Sequence, residues 1–289
     1  MRTAARLPLF KRGPHENESV PLKAQLKRWL RDAAHAQPHV VRELDVSIAS
    51  WPTTSRPLSI AFLSDLHIGS HTADLVRLRG IIREMLAHHP DLVLHGGDFL
   101  PRWAPESNRV PPAAIARLLK PLKGRLGQFA VLGNHDRQAW AQLSLKLREA
   151  GITTLEDEQR TVSFEGHEIA IIGIPDARRR RESALQALRN LPPDRPAIVL
   201  SHDPYWFKHV PAGPSLTLAG HTHGGQILLP FIGPLTNASY APRRWTYGHI
   251  AESGRQMYVT SGWGTSGIPL RVGTSPEAVI LRVAGRTGE

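Results

Sequence analysis

Short apolar runs recur along the chain, and each stops at a cluster of Gly, Asp, Asn or His. Residues 58–63 run into Ser64-Asp65-Leu66-His67, and residues 91–95 run into Gly96-Gly97-Asp98. Residues 128–132 run into Gly133-Asn134-His135-Asp136, and residues 197–200 into Ser201-His202-Asp203-Pro204. Residues 216–219 lead to Gly220-His221-Thr222-His223-Gly224-Gly225, residues 256–260 lead to Ser261-Gly262, and 278–283 form a final run. Runs of this length, closed by turn residues, predict buried strands. Partial alternation through Val41, Leu44, Val46 and Ile48 predicts an edge strand over 40–50. Residues 161–174 read as a hairpin turning at Gly166-His167.

Between the strands the period changes to that of a helix. Leu75, Leu78, Ile81, Ile82, Met85 and Leu86 share one face of a helix over 75–87, which Pro90 closes off. Further helices are predicted over 113–122, 140–150 and 182–191, with a loop over 101–112. Nearer the N-terminus, Leu22, Leu26, Trp29 and Leu30 fall on one side of a helix over 21–35, flanked by Lys23, Lys27, Arg28 and Arg31. Alternating strands and helices imply a layered α/β domain, whose ligands gather at the carboxyl ends of its strands. The expected organisation is a basic extension with helix and edge strand over 1–50, then one domain over 51–289.

Composition sets limits on chemistry. A chain of 289 residues, 41% hydrophobic and 21% charged, is ordinary for a folded domain. There is no cysteine, which excludes disulfides and thiolate-held zinc. The net charge of +11 favours anionic partners: phosphorylated substrates, nucleic acid or an acidic membrane surface. No apolar run reaches the roughly 20 residues of a membrane span. The N-terminal stretch lacks a signal-type apolar core, so the expected location is the cytoplasm; the basic helix reads first as one packed on the domain, with weak peripheral contact with an anionic membrane surface as the alternative.

Asp65, His67, Asp98, Asn134, His202, His221 and His223 all stand at predicted strand ends. Pairs two residues apart in extended backbone share a face, so Asp65 with His67, and His221 with His223, can each reach one metal or two adjacent ones. Any one of these is ordinary alone: Ser64-Asp65 as a helix cap, Asp98 as a turn aspartate, His67 as an interior histidine. Carboxylate, imidazole and amide without sulfur suit Mn²⁺, Fe and Zn²⁺. Seven candidates exceed one tetrahedral zinc and suit two metals about 3.5–4 Å apart.

The order Asp-x-His, Gly-Asp, Gly-Asn-His-Asp, His, Gly-His-Thr-His resembles the calcineurin-like metallophosphoesterase superfamily, over roughly residues 58–283. The resemblance implies a four-layer α/β/β/α sandwich and a hydrolase of phosphate esters with two divalent metal ions (Mn²⁺, Fe²⁺/Fe³⁺ or Zn²⁺). It places Asp65, His67 and His223 on one metal, Asn134, His202 and His221 on the other, and Asp98 between them. His135 then meets the substrate phosphate or the leaving oxygen, and Asp136 orients it. The segment from Gly262 to Arg271 resembles the bacterial subgroup of small phosphodiesterases and UDP-diacylglucosamine hydrolases.

The expected substrate is therefore a phosphorylated small molecule or a lipid-linked one, cleaved as a diester or pyrophosphate. A nuclease is disfavoured, because no basic stripe interleaved with aromatics is visible and the Arg178-Arg179-Arg180-Arg181 run reads as a solvated helix start. A non-catalytic scaffold would have lost ligand positions, and none is lost. No obligate protein partner is implied.

Overall fold

The computed structural model describes residues 37–286 apart from 71–73, 103, 105–107, 177–180, 230, 235–237 and 268–269, together with Leu22, Gln25 and Leu26. Those three are helical and exposed; the rest of the helix expected over 21–35, and Arg178, Arg179 and Arg180, lie outside the described residues.

The strands are β1 (Val40–Ile48), β2 (Leu58–Leu63), β3 (Leu92–His95), β4 (Gln128–Ala130), β5 (Thr153–Thr154), β6 (Glu158–Phe164), β7 (His167–Ile174), β8 (Ala197–Ser201), β9 (Ser215–Ala219), β10 (Leu228–Leu229), β11 (Gly233–Pro234), β12 (Gly248–Glu252), β13 (Arg255–Val259) and β14 (Glu277–Gly285). The helices are α1 (Asp74–Ala87), α2 (Pro112–Leu119), α3 (Trp140–Glu149) and α4 (Arg181–Arg189). One six-stranded sheet runs β1-β14-β2-β3-β4-β5 and a second runs β12-β13-β9-β8-β7-β6. Within the first, β2, β3 and β4 are parallel. Within the second, β7, β8, β9 and β13 are parallel.

Strand periodicity sorts the side chains into layers. Ile60 and Phe62 of β2 turn inward with Ile198 and Leu200 of β8, so the two sheets share one core. Ala61 and Leu63 turn outward and pack with Leu78, Ile81 and Met85 of α1, Ile115 and Leu119 of α2, and Leu143 and Leu147 of α3. On the far face of the second sheet, Ala197 and Val199 pack with Ala184 and Leu188 of α4. Helices, two sheets and a helix make the α/β/β/α order that the resemblance implied. β1 is the outermost strand of the first sheet, parallel to β14. The hairpin turns at Glu165-Gly166, one residue earlier than expected, because Glu165 and Gly166 both take positive φ and leave His167 to pair with Phe164.

The α1–β3 connection is pinned by Asp91, which is fully buried. Its carboxylate accepts from Arg56 Nη1 and Nη2 at 2.6 and 2.8 Å, from Arg125 Nε at 3.0 Å and from the Ser59 amide at 3.0 Å. Burial alone would raise its pKa, but these donors hold it below the usual carboxylate value. Its stabilising effect is therefore full above the unfolded carboxylate pKa and is lost as pH falls through the lower folded value. Asp91→Ala is expected to lower unfolding free energy by about 2 kcal/mol at neutral pH, since the exposed guanidinium ends can rehydrate. Urea midpoints of the two proteins should converge as pH falls below the folded carboxylate value. A gap that persisted there would locate the effect in packing rather than charge.

Candidate metal centre

The carboxyl ends of β2, β3 and β4 meet those of β8 and β9 along one edge of the sandwich. Backbone hydrogen bonds hold the loops together: Asp65 N to Gly97 O at 2.9 Å, His67 N to Asp98 O at 3.0 Å, and Gly220 N to His202 O at 3.1 Å. Packing is tight enough to dictate glycine. A Cβ on Gly133 would lie 2.0 Å from Asp98 Oδ1, and one on Gly220 would lie 2.3 Å from Asp65 Oδ2. Strain gathers at the same place. Asp65, His67, Asp98, His221 and His223 all adopt positive φ, between 45° and 69°. This region is costly for residues with a Cβ, and such outliers cluster at functional sites.

All seven expected metal-site residues come together. Asp65, His67 and His223 offer one set of donor atoms within 4.8 Å of one another, and Asp98, His202 and His221 offer another. Asp98 gives one oxygen to each side: Oδ2 is 3.6 Å from His67 Nε2 and Oδ1 is 3.6 Å from His202 Nε2. Asn134 Oδ1 lies 3.1 Å from His202 Nε2. Asp65 Oδ1 lies 3.8 Å from His223 Nε2.

Hydrogen bonds behind the rings decide which nitrogen is available. His67 Nδ1 is 3.2 Å from the Leu100 carbonyl, and His202 Nδ1 is 2.7 Å from the Gly96 carbonyl. A carbonyl oxygen can only accept, so each Nδ1 carries a hydrogen, and in the neutral ring Nε2 is the nitrogen that presents a lone pair. His221 donates from Nε2 to the Ala238 carbonyl at 3.1 Å, which makes Nδ1 its lone-pair nitrogen. With both rings neutral, His202 Nε2 faces Asn134 Oδ1 acceptor to acceptor, and His67 Nε2 meets His223 Nε2 at 3.1 Å with Asp98 Oδ2 3.6 Å away. A cation gives these converging nitrogens and oxygens a common partner, so this donor set fits divalent metals.

The electrostatics agree. Burial raises the pKa of Asp98 well above the usual range, and nearby Asp136 and Asp65 add to it. Burial lowers His67 and His223 well below theirs. His202 is pulled down by burial but pushed up to about 9 by Asp98 and Asp65. The pocket draws positive charge, and a proton and a metal ion compete for it.

His135 is different in kind. The Arg102 amide donates to its Nδ1 at 2.9 Å, so Nδ1 is an acceptor and the ring hydrogen sits on Nε2. That nitrogen is 4.0 Å from Asp98 Oδ2. An N–H pointing at the centre is a donor, not a ligand. Asp136, expected to orient this ring, has another task. Its Oδ1 accepts from the Leu100 amide at 3.0 Å and its Oδ2 from the Gly133 amide at 2.9 Å, tying two site loops together. Burial raises its pKa to about 6. The group that orients His135 is the Arg102 main chain, which no side-chain pattern could reveal. Arg271 was also missed. It is fully buried and donates to the carbonyls of His223, Ser261 and Gly262, holding the second-sheet loops beneath His223.

A cavity of about 390 Å³ opens over the centre, lined by Asp98, Asn134, His135, His221 and His223. The family model of the calcineurin-like phosphoesterases matches residues 58–250. Phosphodiesterase YaeI of Escherichia coli is 30% identical over 249 residues, covering 82% of this chain and 86% of that protein. YpbG of Bacillus subtilis is 30% identical over 245 residues, covering 79% and 82%. The metallophosphoesterase YkuE of the same organism is 28% identical over 255 residues, covering 86% and 87%. The chain belongs to the calcineurin-like phosphoesterase family and is a phosphoesterase of the divalent-metal-dependent kind. Among the described residues no helix is long and apolar enough to cross a membrane.

Proposed function

We propose that this phosphoesterase hydrolyses a phosphodiester or pyrophosphate bond with two divalent metal ions, in a phosphorylated small molecule or a lipid-linked one. The observation that carries the reading is the split of Asp98, with one oxygen toward His67 and the other toward His202. Asp65, His67 and His223 would hold one ion, and Asn134, His202 and His221 the other. When bound, the ions supply an activated water and neutralise phosphoryl charge. Asp98 sets their spacing, Asp136 fixes the loops that carry the donors, and His135 donates a hydrogen bond from Nε2 to a substrate oxygen. The name of the relative YaeI supports a diester. The Gly262–Arg271 resemblance supports a lipid-linked diphosphate.

The test is turnover of bis-p-nitrophenyl phosphate, p-nitrophenyl phosphate and a UDP-sugar lipid by protein loaded with Mn²⁺, Zn²⁺ or Fe²⁺. The diester is expected to turn over faster than the monoester, and chelation is expected to abolish both. Absence of metal-dependent turnover of every substrate would refute the proposal.

A further inference from the structure

His135 lines two cavities. One lies over the metal centre; the other has a volume of about 520 Å³. Ile68, Leu100, Ala104, Val110 and Pro112 give the second cavity an apolar wall. Arg102 and Arg109 stand at its edge, both exposed. Among the described residues neither guanidinium has a hydrogen-bond or ion-pair partner. An apolar wall with two uncompensated cations at the rim is complementary to an amphipathic anion.

We infer that this cavity receives the leaving arm of the substrate, and that the arm has an apolar body ending in a second anionic group. The inference rests on the phosphoester reading of the metal centre. In-line displacement puts the departing oxygen opposite the attacking water. The Nε2–H of His135 faces the centre while its Nδ1 edge is tied to Arg102, the residue that opens the second cavity. A phosphoryl group over Asp98 with its leaving oxygen at His135 puts the arm beside the residue that lines both cavities, and the arm then extends into the second. The water oxygen bonds to phosphorus, the P–O bond to the arm breaks, and the arm's oxygen takes the proton released by the water. The apolar wall then holds the body of the arm, and Arg102 and Arg109 hold its terminal anion with charge-assisted hydrogen bonds.

The test separates the cavity from the chemistry. Two phenols stand in for the arm: 6-(4-hydroxyphenyl)hexanoate, and 4-pentylphenol without the carboxylate. Each is titrated calorimetrically into full-length Mn²⁺-loaded protein. The carboxylate is expected to tighten binding by about tenfold, a 1.4 kcal/mol contribution. Arg109→Ala should erase that difference, and Val110→Trp, which fills the cavity, should weaken both phenols by about tenfold. Far-ultraviolet circular dichroism confirms that each variant is folded. No binding of either phenol to wild type at millimolar concentration, or equal binding by wild type and both variants, would overturn the inference. The methyl phosphodiesters of the two phenols form the second arm of the experiment. Their kcat/KM ratio should favour the carboxylate about tenfold in wild type and fall to near one in Arg109→Ala. Binding as expected without turnover by any metal form would sink the phosphoesterase reading and leave the cavity as a ligand site. Turnover without preferential binding would sink the cavity and leave the phosphoesterase.

Discussion

Asp98→Asn is expected to lose both metal ions together, and with them activity by on the order of 10³-fold or more, because several kcal/mol of charge stabilisation leave with the metals and each 1.36 kcal/mol is one decade of rate. The argument is geometric. One carboxylate oxygen faces each histidine group at the same 3.6 Å separation. An amide keeps the shape but presents a single oxygen and no charge, so neither side retains its shared donor. The same substitution has a second, opposite consequence. Asp98 is buried together with Asp65 and Asp136, and burial plus these neighbours make its charged form unfavourable. Stripped of metal, Asp98→Asn should therefore melt no lower than stripped wild type. Adding Mn²⁺ at about a hundred times its Kd should stabilise wild type by about 2.7 kcal/mol, and the variant hardly at all. Plasma emission analysis and thermal melts read the two effects separately. A variant that still held two metals at wild-type affinity would remove the bridging role.

The fold and the donor set were legible in the sequence for one reason: both follow from where apolar runs stop. A strand buried on both faces must be nearly all apolar, as β8 is up to Ser201, so the polar residues that follow the apolar run mark the strand end and the site edge. Asp65, Asp98, Asn134, His202 and His221 were found that way. Three classes of feature left no such mark. Short edge strands such as β12 (Gly-His-Ile-Ala-Glu) are half exposed and carry too few residues to establish a period. Roles carried by the main chain, such as the Arg102 amide on His135, depend on a contact between residues 33 apart. Asp136 could be seen to matter from its place in Gly-Asn-His-Asp. Its partners could not be seen, because Leu100 belongs to a different loop. Arg271 shows the converse case: a buried arginine looks from sequence like any surface charge, and it is placed by four carbonyls, of His223, Ser261, Gly262 and Gly264, that only the folded loops present.

The tautomer of His135 leads to the other large effect. With Nδ1 accepting from the Arg102 amide, the ring is a neutral donor at Nε2. It can stabilise charge growing on the departing oxygen without surrendering its proton. Removing one such donor from a water-poor site typically costs about 10²–10³-fold in kcat, and that is the loss expected for His135→Ala. Metal content should stay at wild-type level, since the ring presents an N–H and not a lone pair to the centre. The loss should be largest for alkyl esters, whose departing oxygen carries the most charge, and smallest for p-nitrophenyl esters. His135→Gln distinguishes hydrogen bonding from proton donation. A glutamine amide can donate a hydrogen bond but cannot act as an acid, so under the neutral-donor role it should recover activity to within about tenfold of wild type, as a retained donor should. Steady-state kinetics on an alkyl and a p-nitrophenyl diester, measured for wild type and both variants, provide the comparison. If glutamine proved as damaging as alanine on the alkyl ester, His135 would be a general acid, and the Arg102 contact would have to break during turnover.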